Sequence, residues 1–188
     1  GNVAHGSAMG ESPPMFIAAG TTLHVRRGKV RRALQQEAYF VAYGRQDRQP
    51  GEFVGAVTLP ALSARTQFRA YKVSKRFDQD ISAVLGAFAL EIDDASVVIS
   101  ARFAFGGMAA TPKRAVLAEA AVTGRVWDED ALAAAREAIA QDFTPLTDMR
   151  ASDWYRRTVA ANLLTRLYEE TQDGAPARLA KTGGPVHA

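Results

Sequence analysis

An apolar segment over 84–92, followed by alternating residues over 97–105, predicts a β-hairpin that turns at Asp93-Asp94. We expect one face of its second strand to be buried under helices. The side chains predicted on that face are Val97, Ile99, Ala101, Phe103 and Phe105.

Capping residues and apolar spacing predict three helices after this hairpin. The first begins at 111–112, where a threonine hydroxyl caps the helix and proline suits its first position, and it ends at Gly124. The acidic residues 128–130 start the second helix, because negative charge stabilises a helix N-terminus. Ser152 caps the last helix, over residues 153–171. The apolar positions predicted for this last helix include Tyr155, Val159, Leu163 and Leu167.

The first part of the chain predicts a loop and short strands. Glycine, proline and serine in residues 1–14 predict the loop, which leads into a short helix over 15–19. Alternation then predicts strands over 22–26 and 29–34, joined by a tight turn, and a third strand over 53–60.

A charged joint, residues 72–80, follows a further predicted strand over 68–73 and separates the two halves of the chain. Its three cations and two acids are Lys72, Lys75, Arg76, Asp78 and Asp80. Such a joint either holds an anionic ligand between two lobes or forms a network of surface ion pairs. The residues alone leave both interpretations open.

The composition excludes several classes of function. The 188 residues contain no cysteine, so disulfides, cysteine nucleophiles and cysteine-bound iron–sulfur clusters are excluded on this chain. The three histidines show no metal-binding spacing. A net charge of +3, from 23 basic and 20 acidic residues, is too balanced to indicate nucleic-acid binding. Neither a membrane span of ~20 apolar residues nor a signal-peptide pattern is visible, so we expect a cytoplasmic protein with no membrane partner.

Five motifs, in order along the chain, resemble the small, FAD-carrying subunit of bacterial xanthine dehydrogenases. They are GNVAHGS at 1–7, GRQDRQPGEF at 44–53, YKVSKRFDQDIS at 71–82, FGGMA at 105–109 followed by PKRA at 112–115, and QDFTPLTDMRAS at 141–152. The resemblance runs from residue 1 to about residue 170. It places the chain in the molybdenum hydroxylase flavoprotein family.

The resemblance implies an α+β fold with two domains. Residues 1–62 resemble the second lobe of an FAD-binding domain of the PCMH or vanillyl-alcohol-oxidase type. After a linker, 63–67, residues 68–172 resemble the C-terminal domain of CO dehydrogenase flavoproteins, an antiparallel sheet covered by helices. Residues 173–188 we expect to be a disordered tail, from their small, polar composition.

The resemblance also implies which residues contact FAD. These cofactor-binding residues are Gly1, Asn2, His5, Glu11, Val54 and Lys72. A carboxylate at Glu11 accepts hydrogen bonds from ribityl or ribose hydroxyls. A lysine at Lys72 offsets phosphate charge or donates to flavin oxygens, and it tunes electron transfer. The chain departs from the family at His5, where asparagine or threonine is usual, and at Ala8, where proline is usual.

The family's chemistry implies the partners. A purine, hypoxanthine or xanthine, is hydroxylated at a molybdenum cofactor in a large subunit, and electrons pass through iron–sulfur clusters to FAD and then to NAD. We therefore expect FAD on this chain, with a molybdenum-binding large subunit, an iron–sulfur domain and NAD as partners. No acid–base pair or nucleophile is visible, so no catalytic residue is predicted here. Flavoprotein subunits for CO, nicotinate or aldehyde substrates are alternatives of the same class.

The family's first flavin lobe, with its glycine-rich pyrophosphate loop, has no counterpart in these residues. We expect the sequence to be a truncated fragment or one piece of a split gene, inactive by itself. A function of another class stays open at this point. The chain would then be a non-catalytic interaction module that docks on the large subunit.

Overall fold

The computed structural model describes residues 2–76 and 78–172. The predicted tail and Gly1 lie outside these ranges. Within them, the elements in chain order are α1 (Asn2–His5), α2 (Ser12–Ala18), β1 (Thr22–Arg27), β2 (Val30–Gln35), α3 (Gln36–Tyr39), β3 (Phe40–Ala42), β4 (Arg45–Gln46), β5 (Phe53–Thr58), β6 (Thr66–Val73), β7 (Val84–Ile92), β8 (Val98–Gly106), β9 (Lys113–Arg114), α4 (Val116–Val122), α5 (Glu129–Asp142) and α6 (Asp153–Thr171).

The strands of the described residues pair antiparallel and form three sheets. The first sheet has the order β2-β1-β5, and the second pairs β3 with β4. The third has the order β6-β7-β8-β9. Antiparallel sheets combined with segregated helices define the α+β class, so the predicted fold class is confirmed.

Strand β7 separates two hydrophobic cores. Phe88 and Leu90 belong to the larger core, which also contains side chains of α4, α5 and α6. Leu85 and Ala87 belong to the smaller core, which contains side chains of α2, α3 and β1. Successive side chains of a strand point to opposite faces. A strand between two layers therefore needs apolar residues at both sets of positions, and this explains the nearly continuous apolar run of β7.

A β-bulge corrects the predicted buried face of β8. Glu91 pairs with Ser100, but the next residue of β7 pairs with Val98. Ile99 is thus skipped in the ladder, and it is 48% exposed while Val98 is buried. One extra residue reverses the alternation on one side of a bulge. Beyond the bulge, the predicted residues are buried: Ala101, Phe103 and Phe105.

Helix α4 begins at Val116, several residues after the predicted start at 111–112. The reason is that β9 pairs with β8 over the intervening residues. The free amides at the start of α4 belong to Leu117 and Ala118. Both donate at 3.0 Å to the carboxylate of Asp142, which lies at the end of α5. The helix is therefore capped from a distant part of the sequence.

The predicted C-terminus of α4 and the predicted N-termini of α5 and α6 agree with the structure. Gly124 follows α4 with a φ of 78°, the left-handed conformation that favours glycine. Asp128 accepts a hydrogen bond from the Ala131 amide at 2.9 Å, and Ser152 accepts one from the Tyr155 amide at 3.1 Å. The Tyr155 side chain is exposed, contrary to prediction. The buried stripe of α6 consists of Arg156, Ala160, Leu163, Leu164 and Leu167.

Two predicted boundaries in the first half of the chain were wrong. Residues 1–14 are not one loop, because α1 and the start of α2 lie within them. Gly6, with a φ of 70°, ends the short helix α1. Strand β6 begins at Thr66, two residues before the predicted strand start at 68, since Thr66 and Gln67 already pair with β7.

Candidate functional site

The loop before α2 and the end of β6 meet at a polar contact, which we call the seam. It consists of Glu11, Lys72 and Ser82. Lys72 Nζ lies 2.6 Å from Glu11 Oε1. Ser82 Oγ donates a hydrogen bond to the same Glu11 oxygen at 3.2 Å. The structure therefore joins two of the predicted cofactor residues, Glu11 and Lys72, in one ion pair.

The alternation of β6 places Lys72 at the seam. Its neighbour Tyr71 is buried in the larger core. Successive side chains of a strand point to opposite faces, so Lys72 points towards the layer that contains α2. Its ladder partner Leu85 belongs to the smaller core on that same side.

The seam has unused hydrogen-bonding capacity. The Lys72 and Glu11 side chains are 36% and 42% exposed. An ammonium has three donors and a carboxylate has about four acceptor positions, so one ion pair uses only part of each. Such a pair fits a ligand that presents anionic or carbonyl oxygens to the lysine and hydroxyls to the carboxylate. The residues present thus fit the polar chain of a flavin nucleotide.

The loop between α1 and α2 keeps some of its amides for itself. The Met9 amide donates to Ser7 Oγ at 3.3 Å, and the Gly10 amide donates to the Ser7 carbonyl at 3.1 Å. The Ala8 carbonyl accepts from the Gly107 amide at 2.9 Å. The Met9 and Gly10 amides are therefore not free to bind a phosphate.

The other predicted cofactor residues lie apart from this ion pair. Gly1 is outside the described residues, and Asn2 is the first residue of α1. His5 ends α1 with an exposed side chain, and its carbonyl accepts from Gln46 Nε2 at 2.7 Å. Val54 is half-buried in β5 and packs against the smaller core. A role of these residues in FAD binding stays a prediction.

Three of the remaining charged residues of the joint make contacts of their own. Asp80 Oδ2 accepts from the Arg76 amide at 2.9 Å, and this hydrogen bond lowers the pKa of Asp80. The Arg76 guanidinium lies 3.7 Å from the same carboxylate. Lys75 Nζ donates to the Met149 carbonyl at 2.8 Å. Of the two interpretations of the joint, a surface ion pair therefore describes Arg76 and Asp80.

A cavity of about 560 Å³ lies next to the α1–α2 loop. Ala8 and Met9 of that loop line one wall, and Gly107 and Arg156 line another. Its exposed rim includes Tyr43. A space of this size lies within the range of small-molecule sites, and its lining combines apolar residues with charged side chains.

A second cavity, of about 620 Å³, lies on the other side of the segment after α5. Asp148 and Arg150 line both cavities. Burial opposes ionisation of Asp148, but hydrogen bonds from the Arg150 and Ala151 amides and from Arg156 lower its pKa. This segment is therefore a charged wall between the two cavities.

Arg156 is a residue at the cavity that the sequence analysis missed. It occupies the buried stripe of α6 and is one of the largest fully buried side chains among the described residues. An arginine in helical register with Ala160, Leu163 and Leu167 was the signal that could have revealed it. A charged side chain on an apolar face is unusual, because burying a charge requires partners.

The described residues contain neither a cluster of metal-ligating side chains nor a helix long and apolar enough to cross a membrane.

Two family models together match nearly the whole described chain. Residues 1–62 match the FAD-binding domain in molybdopterin dehydrogenase. Residues 69–171 match the CO dehydrogenase flavoprotein C-terminal domain.

Curated relatives include a xanthine dehydrogenase and a nicotinate hydroxylase, both from Emericella nidulans. The first is 30% identical over 181 residues, which are 95% of this chain and 13% of the relative. The second is 30% identical over 174 residues, 89% of this chain and 13% of the relative. The chain thus spans a small part of these relatives.

A solved carbon monoxide dehydrogenase from Hydrogenophaga pseudoflava has a similar fold, with a TM-score of 0.82 and 24% identity. The match covers 88% of this chain and 57% of that one. This similarity shows a shared α+β fold. With both domain models matched in order, the chain belongs to the molybdenum hydroxylase family, as part of its FAD-binding subunit. FAD is the cofactor of this subunit.

Proposed function

We propose that this chain is the FAD-binding portion of a xanthine dehydrogenase. When bound, FAD supplies the chemistry that takes electrons from iron–sulfur clusters and passes them to NAD. The observation that carries the proposal is the ion pair of Lys72 and Glu11, between a segment of the FAD-binding domain and a strand of the C-terminal domain.

The environments of Glu11 and Lys72 allow each of them a separate role in the proposed site. Glu11 accepts hydrogen bonds from ribityl or ribose hydroxyls through its free carboxylate positions. Lys72 donates to flavin or phosphate oxygens through its remaining N–H groups. Val54 and His5 contribute backbone and side-chain contacts, together with Gly1 and Asn2 before the loop. The cavity beside Ala8 and Met9 has the size to admit a flat ring.

Xanthine or hypoxanthine is the substrate that we propose for the complete enzyme. The support is the joint motif at 71–82 and the xanthine dehydrogenase relative. The nicotinate hydroxylase has the same 30% identity to this chain as the xanthine dehydrogenase, so nicotinate is the second candidate substrate. Substrate oxidation belongs to a molybdenum-containing subunit, which is the proposed partner together with an iron–sulfur domain. A cytoplasmic location stays a prediction from composition.

The proposed site is tested by titrating FAD into the purified protein and recording flavin absorbance and fluorescence. The protein should be the complete one that carries this sequence. We expect Lys72→Met to raise the Kd for FAD at least tenfold, because a charge-assisted hydrogen bond contributes about 1.5–3 kcal/mol.

Lys29→Met is the matched control, since Lys29 is an exposed lysine in the turn between β1 and β2. It should leave the Kd unchanged. Wild-type protein that stays colourless after incubation with FAD would overturn the proposal. That result would favour the alternative of a non-catalytic interaction module.

A further inference from the structure

Arg156 bonds three separate segments around the cavity of about 560 Å³. Its Nη1 donates to the Ala83 carbonyl at 2.5 Å and to the Gly107 carbonyl at 2.8 Å. Its Nη2 donates to Asp148 Oδ1 at 2.8 Å. One buried guanidinium therefore connects the segment that follows the joint, the turn after β8 and the segment after α5.

The Ala83 contact leads directly to the seam. The Ala83 amide donates to the Val73 carbonyl at 2.8 Å, and this bond closes the joint next to Lys72. The preceding residue, Ser82, donates to Glu11. A shift of the Ala83 carbonyl would therefore move both sides of the Lys72–Glu11 ion pair.

The Gly107 contact leads to the loop before α2. The Gly107 amide donates to the Ala8 carbonyl while its own carbonyl accepts from Arg156. Gly107 has a φ of 81°, and a Cβ there would overlap the Ala83 carbonyl. The turn after β8 thus approaches the Ala83 backbone closely, and only glycine fits at position 107.

We propose that Arg156 is a positioning residue for the FAD site, because it fixes the distance between the joint and the α1–α2 loop. The inference rests on the proposed function, in which FAD contacts Lys72 and Glu11. Arg156 itself does not touch the ion pair. It acts through Ala83 and Gly107, so its removal should misplace Lys72 without changing Lys72 chemically.

A double-mutant cycle on FAD binding tests this, because contacting or coupled residues give non-additive effects and independent ones add. The Kd for FAD is measured for wild type, Lys72→Met, Arg156→Met and the double variant. We expect Arg156→Met to raise the Kd at least tenfold. In that background, Lys72→Met should raise it by less than threefold further.

Arg156→Lys is the second variant in case Arg156→Met folds poorly. It keeps the charge, but it replaces the two guanidinium nitrogens, which separately reach the carbonyls and Asp148, with a single ammonium nitrogen on a flexible stem. We expect a Kd at least threefold above wild type. A wild-type Kd for Arg156→Lys would overturn the proposal, because position would then not depend on the guanidinium.

Leu167→Ala is the control for a general loss of stability, since Leu167 is buried on the same helix and far along it from Arg156. Its effect on FAD binding should add to that of Lys72→Met. Additive effects of Lys72 and Arg156 would overturn the proposal as well.

Hydrogen exchange provides a readout that needs no FAD. The amides of Ala83 and Gly107 should exchange at least tenfold faster in Arg156→Met than in Leu167→Ala of matched stability. Unchanged exchange at both amides would refute positioning by Arg156. If the wild-type protein binds no FAD but Arg156→Met still shows accelerated exchange at these amides, the proposed function fails while Arg156 still positions the two segments.

Discussion

Glu52 shows how a single carboxylate organises the loop before β5. Both of its oxygens accept from Arg32, Nε at 2.9 Å and Nη2 at 2.8 Å, in a two-pronged contact. The Gln49 amide also donates to it, at 2.7 Å. The Arg32 hydrogen bonds, followed by that amide, lower the pKa of Glu52 to about 2 from its ordinary value of 4.5.

This lowered pKa predicts how stability depends on pH. Between about pH 4.5 and 2 the unfolded chain binds a proton at Glu52 before the folded chain does, so stability falls as pH falls. The stabilisation is complete above about pH 4.5. We expect Glu52→Gln to remove this pH-dependent stabilisation. The variant should therefore be less stable than wild type above about pH 4.5, and the two free energies of unfolding should converge near pH 2.

Urea unfolding at pH 7, 4 and 2.5 measures the difference between the two proteins. Arg32→Met should weaken the same pH dependence, because it removes the donor that lowers the pKa of Glu52. A wild-type protein and a Glu52→Gln variant whose stabilities fall in parallel would contradict the assignment.

At the scale of elements, α4 depends on α5 for its N-terminal cap. Asp142 is buried at the last position of α5, and its two oxygens accept from the Leu117 and Ala118 amides. The first amides of a helix have no partner within it, so a buried helix start requires an external acceptor. The packing of the two helices is therefore coupled to the capping of one of them.

We expect Asp142→Ala to destabilise the protein by about 1–3 kcal/mol, because it leaves two amides of α4 without partners. Chemical denaturation measures the change. Asp130→Ala is the control, since Asp130 is an exposed acid near the start of α5 and its loss should change stability by less than about 0.5 kcal/mol. Equal effects of the two variants would show that the cap does not stabilise α4.

At the scale of the whole molecule, an ion-pair chain links the two matched domains. Glu37 of α3 accepts from Arg102 of β8 at 2.8 Å and pairs with Arg114 of β9 at 3.5 Å. Arg114 continues to Glu119 of α4 at 2.5 Å. Arg102 also donates to the Ile17 carbonyl of α2, at 2.7 Å through Nη2. Glu37 thus connects the FAD-binding domain directly to β8 and β9 of the C-terminal domain and, through Arg114, to α4.

We expect Glu37→Gln to lower the free energy of unfolding by about 1–3 kcal/mol, a value between those of exposed and buried ion pairs. The same unfolding experiment on Asp94→Asn provides the comparison. The Arg65–Asp94 pair is far more exposed, at 53% and 89%, and its loss should change stability by less than about 1 kcal/mol. A Glu37→Gln variant as stable as Asp94→Asn would mean that this ion-pair chain does not stabilise the contact between the two domains.

The sequence by itself determined the elements whose signals are local. The hairpin of β7 and β8, the cap at Ser152 and the glycine after α4 were all predictable, because alternation, capping hydroxyls and left-handed glycine act within a few residues. The family resemblance depended on motifs and likewise needed no structure. Lys72 and Glu11 were both predicted as cofactor residues from that resemblance.

Only the tertiary structure decided which distant residues meet. The bulge at Ile99, the capping of α4 by Asp142 and the ion pair of Lys72 with Glu11 each join segments that carry no local signal of their partner. Arg156 is the clearest case. Its charge contradicts its place on an apolar helix face until Ala83, Gly107 and Asp148 supply the oxygens that a buried guanidinium requires.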